Sequence, residues 1–376
     1  TLRNKNLRRK SVPKRNKVDF DFLSPIDDRL LAHNQILPDQ VLGTNLRIHT
    51  QKDGVPELTD VSVAMVSLEP RLVKGEPLHL RFREQFYQLF TGNWDFICAD
   101  LGVLPSGDHP NDTLFALKSL VKELYQRNIL TIIVGGEQEN TLGMFRGLSG
   151  MNTYVNLTSI DAHLDFGEPG VLISDDSYMS KIIIDKPNNL KQFTNLGYQS
   201  YYVSQEELDL MEKLFFDAYR LGDISADIHE SEPILRDTDI LSVDLSSVKA
   251  SELDNPKGLP NGFDGAQICK LMRYAGLSDR LSVLGIFNIS DSQRTDQLLA
   301  QMIWYVLEGY CHRVNEYPFS THEVCTKFVV PQEQTELIFY RSEKSKRWWI
   351  EVPKEGKHNN NDPVSYTHLT LPTRLS

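Results

Sequence analysis

A chain of 376 residues with 40% hydrophobic side chains and a formal net charge of -11 carries enough apolar material for a large buried core, in two ordinary domains or one large α/β domain. No stretch approaches the roughly 18 consecutive apolar residues of a membrane-spanning helix, and the N-terminus lacks the apolar segment of a secretory signal, so a cytoplasmic protein without a membrane partner is expected. Cys98, Cys269, Cys311 and Cys325 are scattered without CxxC spacing, which excludes a zinc knuckle or a disulfide framework and predicts reduced, structural thiols.

Residues 1–17 hold eight basic side chains (Arg3, Lys5, Arg8, Arg9, Lys10, Lys14, Arg15 and Lys17) and no acid, leaving 32 basic against 51 acidic residues for the rest. A basic arm can bind nucleic acid, but the acidic body would repel phosphate. No nucleic-acid partner is therefore expected, and because the chain begins with Thr and turns globular only at VDFDFLSPI, residues 1–17 are read as an extension foreign to the protein. An N-terminal arm follows over residues 18–60.

From VSVAMVSL onward strand and helix alternate. DFICADLGV, ILTIIVGG, TYVNLTSID, SYYVS, FFDAYRL, DILSVDLSS and LSVLGIFNIS read as further strands, and several are continuous apolar runs. Such runs imply burial on both faces. HLRFREQFYQLF, NDTLFALKSLVKELYQR, FDGAQICKLMRYAG and RTDQLLAQMIWYVLEGY read as helices between them. The alternation predicts one α/β domain over residues 61–330: a three-layer α-β-α sandwich around a mostly parallel sheet of about eight strands. TELIFYRSEKSKRWWIEV predicts a C-terminal hairpin within residues 331–352. Residues 353–376 read as a polar tail whose end, VSYTHLTLPTRLS, looks non-native.

In open parallel sheets, ligands gather beyond the carboxyl ends of the strands. Three stretches there interrupt apolar runs with polar residues: GGEQEN (135–140), SIDAHLDFG (159–167) and SVDLSSVK (242–249). Residues two apart on an extended segment share a face, so Asp161 can converge with His163, and Asp244 with Ser246. Carboxylates with one imidazole suit Mn²⁺ or Mg²⁺ better than zinc or copper. The plainer alternative is a polar network capping strand ends, with Gln138 and Glu139 bonding a helix N-terminus. Trp304, Tyr305 and Tyr310 read as core side chains, and Trp348 and Trp349 as cover for a sheet edge or a subunit contact.

The order of GGEQENTLGMFRGL, SIDAHLDFG and ILSVDLSS resembles the ureohydrolase family of arginase, agmatinase and formiminoglutamase, nearest to formiminoglutamase-like members, over about residues 60–315. EPLHLRFREQFYQL resembles the family's first helix and LSVLGIFNIS its last core strand. The resemblance implies an arginase-like fold, a two-manganese site and hydrolysis of a small guanidino or formimino substrate by a metal-activated hydroxide. It implies that Asp161 and Asp244 bridge the ions while His163 binds one and Asp165 the other. It also allows a homo-oligomer.

The departures from the family pattern weigh against activity. Gln138 stands where the family has a metal-binding His, Ser246 where it has a second Asp, and Asn288 where it has a Glu that orients the cationic substrate. A neutral amide and a hydroxyl hold divalent ions weakly. After DAHLD, SDDSYMSK offers no His to shuttle protons. Two functions are expected as alternatives: a protein with a degraded metal site, retained for binding or structure, or an active metal-dependent hydrolase of linear amidines using one or two ions.

Overall fold

The computed structural model describes residues 20–69, 77–107, 109–151, 154–168, 173–186, 188–316, 325–331, 336–352 and 362–366. The basic opening and the last ten residues lie outside the described residues. The centre of the fold is a nine-stranded sheet built from β1 (Arg47–Ile48), β2 (Val61–Leu68), β3 (Ile97–Leu104), β4 (Leu130–Val134), β5 (Val155–Ile160), β6 (Leu190–Tyr198), β7 (Asp217–Arg220), β8 (Ile240–Asp244) and β9 (Val283–Phe287). Their spatial order is β1-β3-β2-β4-β9-β8-β5-β6-β7, and every pairing is parallel.

The apolar runs explain the layering. Along each strand, alternate side chains enter two separate cores. Val63, Met65, Ile132, Val134, Leu241, Val243, Leu284 and Ile286 join the first core, with the helices Leu78–Tyr87, Gly265–Gly276 and Gln293–Cys311. Ala64, Val66, Ile133, Ile240 and Val283 join the second, with the helices Pro110–Gln126, Thr141–Ser149 and Tyr178–Ile184. The result is the α-β-α sandwich expected, with nine strands rather than about eight. Trp304, Tyr305 and Tyr310 pack partly buried against the first core.

Two assignments differ from the sequence reading. The aromatic stretch SYYVS is not a strand: Tyr202 N–H closes a turn on Gln199 O at 2.8 Å. The strand is the preceding LKQFTNLGY, β6, whose buried Thr194 and Asn195 masked its period. Strand propensity reflects packing context more than residue type, so two exposed tyrosines misled. At the C-terminus, β11 (Glu336–Ser342) and β12 (Trp348–Val352) pair antiparallel across the SEKSK turn. β10 (Cys325–Pro331) and β13 (Asp362–Tyr366) extend them to a four-stranded sheet, which begins ahead of the hairpin boundary drawn at residue 331. Trp349 there is buried, with the Arg236 guanidinium 5.1 Å from its ring centre. No helix among the described residues is long and apolar enough to cross a membrane.

One ion pair is sealed inside the sandwich. Arg83 and Asp100 side chains are both 0% exposed. The guanidinium forks onto the carboxylate at 2.7 and 2.8 Å and donates to Ser67 Oγ at 2.6 Å, while Tyr87 OH donates to Asp100 at 2.9 Å. Breaking such a pair leaves an uncompensated buried charge. Arg83→Met is expected to destabilise the protein by ~3–5 kcal/mol, and Arg83→Met with Asp100→Leu by clearly less than the sum of the two single changes. Urea unfolding of the three variants measures both effects.

Candidate functional site

Four adjacent strands, β4, β9, β8 and β5, end side by side and deliver Gln138, Asn288, Asp244 with Ser246, and Asp161 through Asp165 to one place. The β4 exit needs glycine. Gly135 and Gly136 have φ of +96° and +75°, and a Cβ on Gly135 would stand 2.8 Å from Leu68 O. This turn lets Gln138–Asn140 coil into a short 3₁₀ helix, and Asn288 N–H bonds Gly136 O at 3.0 Å, joining the ends of β4 and β9.

The DAHLD turn is held from β6. Asn195 Nδ2 donates to His163 O at 2.7 Å, and Gln199 N–H to Ala162 O at 3.0 Å. Asp161 is buried; its Oδ1 accepts the His163 N–H at 2.9 Å and stands 3.7 Å from His163 Nδ1. That carboxylate raises the His163 imidazole above its usual pKa. The half-exposed ring also stacks on Tyr202, 5.1 Å between centres. Asp165, buried, takes a left-handed backbone with φ +59°. Burial, and then the fields of Asp161 and Asp244, push its carboxyl well above the ordinary range. Asp161 Oδ2, Asp165 Oδ2 and Ser246 Oγ are buried without a hydrogen-bond partner.

Asp244 is the point where the strands meet. Its Oδ1 accepts the Ser246 N–H at 2.6 Å and its Oδ2 accepts Asn288 Nδ2 at 2.8 Å. Burial, with Asp161 adding to it, pushes its carboxyl up to about 7. Asn288, at φ +56°, also bonds Asp175. Gln138 is buried and its Nε2 faces three hydroxyls, Tyr178 at 3.2 Å, Ser159 at 3.3 Å and Ser242 at 3.4 Å. Asp175, in turn, accepts the Glu139 N–H at 3.1 Å.

The fold thus brings together all the residues singled out in the sequence: Asp161, His163, Asp165, Asp244, Gln138, Ser246 and Asn288. Nevertheless, among the described residues no group of three His, Cys, Asp or Glu side chains is arranged to hold a metal ion. Sequence reasoning missed Tyr178, Asp175 and Tyr202. The first two lie in the SDDSYMSK segment, read only for a missing His, and Tyr202 was assigned to a strand.

A parallel sheet with carboxylates and one imidazole at the ends of its central strands defines an arginase-like α/β protein. Residues 68–250 match the Arginase family, so the chain resembles the ureohydrolases in sequence there and shares their fold. A formiminoglutamase from Trypanosoma cruzi with Mn²⁺ is 14% identical with a TM-score of 0.61, over 68% of this chain and 96% of that one. A formimidoylglutamase from Bacillus subtilis is 13% identical with a TM-score of 0.60, over 69% of this chain and 91% of that one. The agmatine ureohydrolase of Thermoplasma volcanium is 14% identical with a TM-score of 0.56, over 78% and 99%. No curated protein matches the sequence.

The carboxyl pKa of Asp244 predicts a pH dependence of stability. A folded-state pKa raised from 3.8 to about 7 stabilises the fold fully below the unfolded value, and that contribution is lost as pH rises through about 7. Asp165 acts with the same sign. In chelator-treated protein, raising the pH from 5 to 8 is expected to lower unfolding free energy by on the order of 2–4 kcal/mol. Asp244→Asn should remove a large part of that slope in urea titrations at the two pH values.

Proposed function

We propose that this chain is a ureohydrolase-fold protein with a degraded dimanganese site, impaired or inactive in amidine hydrolysis, that acts as a binding or structural protein. The observation that carries this reading is the Asn288 contact. An amide N–H on Asp244 Oδ2 at 2.8 Å takes one lone pair of that oxygen and places a neutral amide where the family pattern has a substrate-orienting carboxylate. Two further features support it. Gln138 turns its amide nitrogen to hydroxyls, and Ser246 offers a neutral oxygen where a carboxylate would bind a hard cation. This donor set does not fit a pair of divalent ions.

A second reading has its own support. The partnerless buried oxygens of Asp161, Asp165 and Ser246 suit one hard cation, Mn²⁺ or Mg²⁺. Bound there, such an ion would supply Lewis-acid chemistry to an active hydrolase of carbon–nitrogen bonds in a small guanidino or formimino compound. Asp161 and Asp165 would hold the ion, and Tyr202, stacked on His163, would wall the entrance.

Calorimetry with Mn²⁺, paired with elemental analysis, separates the readings. The degraded-site reading expects at most weak binding in the unaltered protein. It also expects Mn²⁺ affinity to rise at least about tenfold in Gln138→His with Ser246→Asp, since an imidazole and a carboxylate return to the site. Two tightly held ions in the unaltered protein, lost in Asp161→Ala, would instead establish the hydrolase reading and direct a screen of amidino substrates.

A further inference from the structure

At the opposite end of the sheet, the segments just ahead of β8 and β9 face the turn between β11 and β12 across a cavity of about 320 Å³. Its charged lining is Arg236, Lys346 and Arg347 with the carboxylate of Glu232; Lys346 also pairs, at 3.0 Å, with Glu343, which does not line the cavity. Both guanidiniums lean on the Glu232 carboxylate, Arg236 at 2.5 Å and Arg347 at 3.1 Å, and their side chains are only 9% and 13% exposed. Asp279 and Glu316 also act on Arg347. However, neither lines the cavity, and both are engaged. Asp279 accepts the Asn315 and Glu316 N–H groups at 3.1 and 2.9 Å, and Glu316 accepts from Ser345 Oγ at 2.8 Å. Two guanidiniums withdrawn from water share Glu232 as the one carboxylate inside the cavity, an arrangement that offers a bound anion charge-assisted donors.

The neutral side of the cavity is also set for an acceptor. Lys270 Nζ lies 3.1 Å from His229 Nε2, and Tyr274 OH lies 2.8 Å from His229 Nδ1. An ammonium has no lone pair, so Nε2 accepts and Nδ1 carries the proton, which it donates to the Tyr274 oxygen. The Tyr274 hydroxyl hydrogen is left for a ligand.

We propose that this cavity binds a small molecule bearing a dianionic oxyanion, a phosphate group, held by Arg347, Lys346 and the Tyr274 hydroxyl. The planar fork of arginine matches phosphate geometry, and the volume accommodates a phosphate with a small organic remainder. Ser345–Trp348, which form one wall, lie outside the stretch that matches the Arginase family. The C-terminal sheet therefore builds a site that the matched stretch by itself does not contain.

Calorimetric titration of the full chain with inorganic phosphate, with malonate in parallel, tests this. Saturable phosphate binding is expected, weakened about tenfold or more in Arg347→Gln, as for loss of one charge-assisted contact. Lys346→Gln, on an exposed turn where folding is not at stake, should weaken it at least about threefold, and Asp161→Asn should leave it unchanged. Absence of saturable phosphate binding, binding that survives both substitutions, or tighter binding of malonate than of phosphate would overturn the assignment.

Discussion

Burial of the central strands on both faces is the constraint from which the rest follows. β4, β9, β8 and β5 send alternate side chains into two separate cores, so solvent reaches them only at their ends. Parallel pairing puts their carboxyl ends on one edge, and every polar residue that follows these strands is driven to the same small volume. The packing of the sandwich, rather than any local preference of Asp or His, brings the three carboxylates together.

That gathering has an electrostatic cost, and the site shows how it is offset. In the absence of a cation, Asp161, Asp165 and Asp244 repel one another in a poorly solvated space, which favours the protonated forms of Asp165 and Asp244. Donors take up part of the load: the His163 N–H on Asp161, the Ser246 N–H on Asp244 and the Asn288 amide on Asp244. In the proposed reading these donors do for the fold what ions would otherwise do, so a carboxylate cluster inherited from a metal site persists without one. The Arg236–Glu232–Arg347 group poses the inverse problem at the far end of the strands, two guanidiniums on one carboxylate.

The sandwich was legible in the sequence wherever apolar runs were continuous, because a run such as LSVLGIF has no solvated face to present. The candidate residues were legible for a related reason: Asp161 and Asp244 stand where such runs stop. What escaped detection has polar groups satisfied from far away in the chain. Thr194 and Asn195 in β6 are buried, and Asn195 meets a carbonyl in the DAHLD turn. Nothing in the helical stretch HLRFREQFYQLF marks Arg83 as buried; its partner Asp100 comes from another element. The Gln138 side chain could be recognised as a departure from a family pattern. Its turn toward Ser159, Tyr178 and Ser242 depends on three other elements.

The backbone at position 288 bears on the history of the protein. Asn288 adopts φ +56°, a left-handed conformation that asparagine tolerates and that longer side chains resist by roughly 1–2 kcal/mol. If the ancestor carried the glutamate that the family resemblance places there, the chain has since settled into a shape that fits its replacement better than the original. Reversion by one codon change would then meet both a resistant backbone and the neighbours Asp175 and Asp244, two acids facing a third. Such a step acts as a ratchet: once passed, drift carries the protein further from the ancestral chemistry more readily than back toward it.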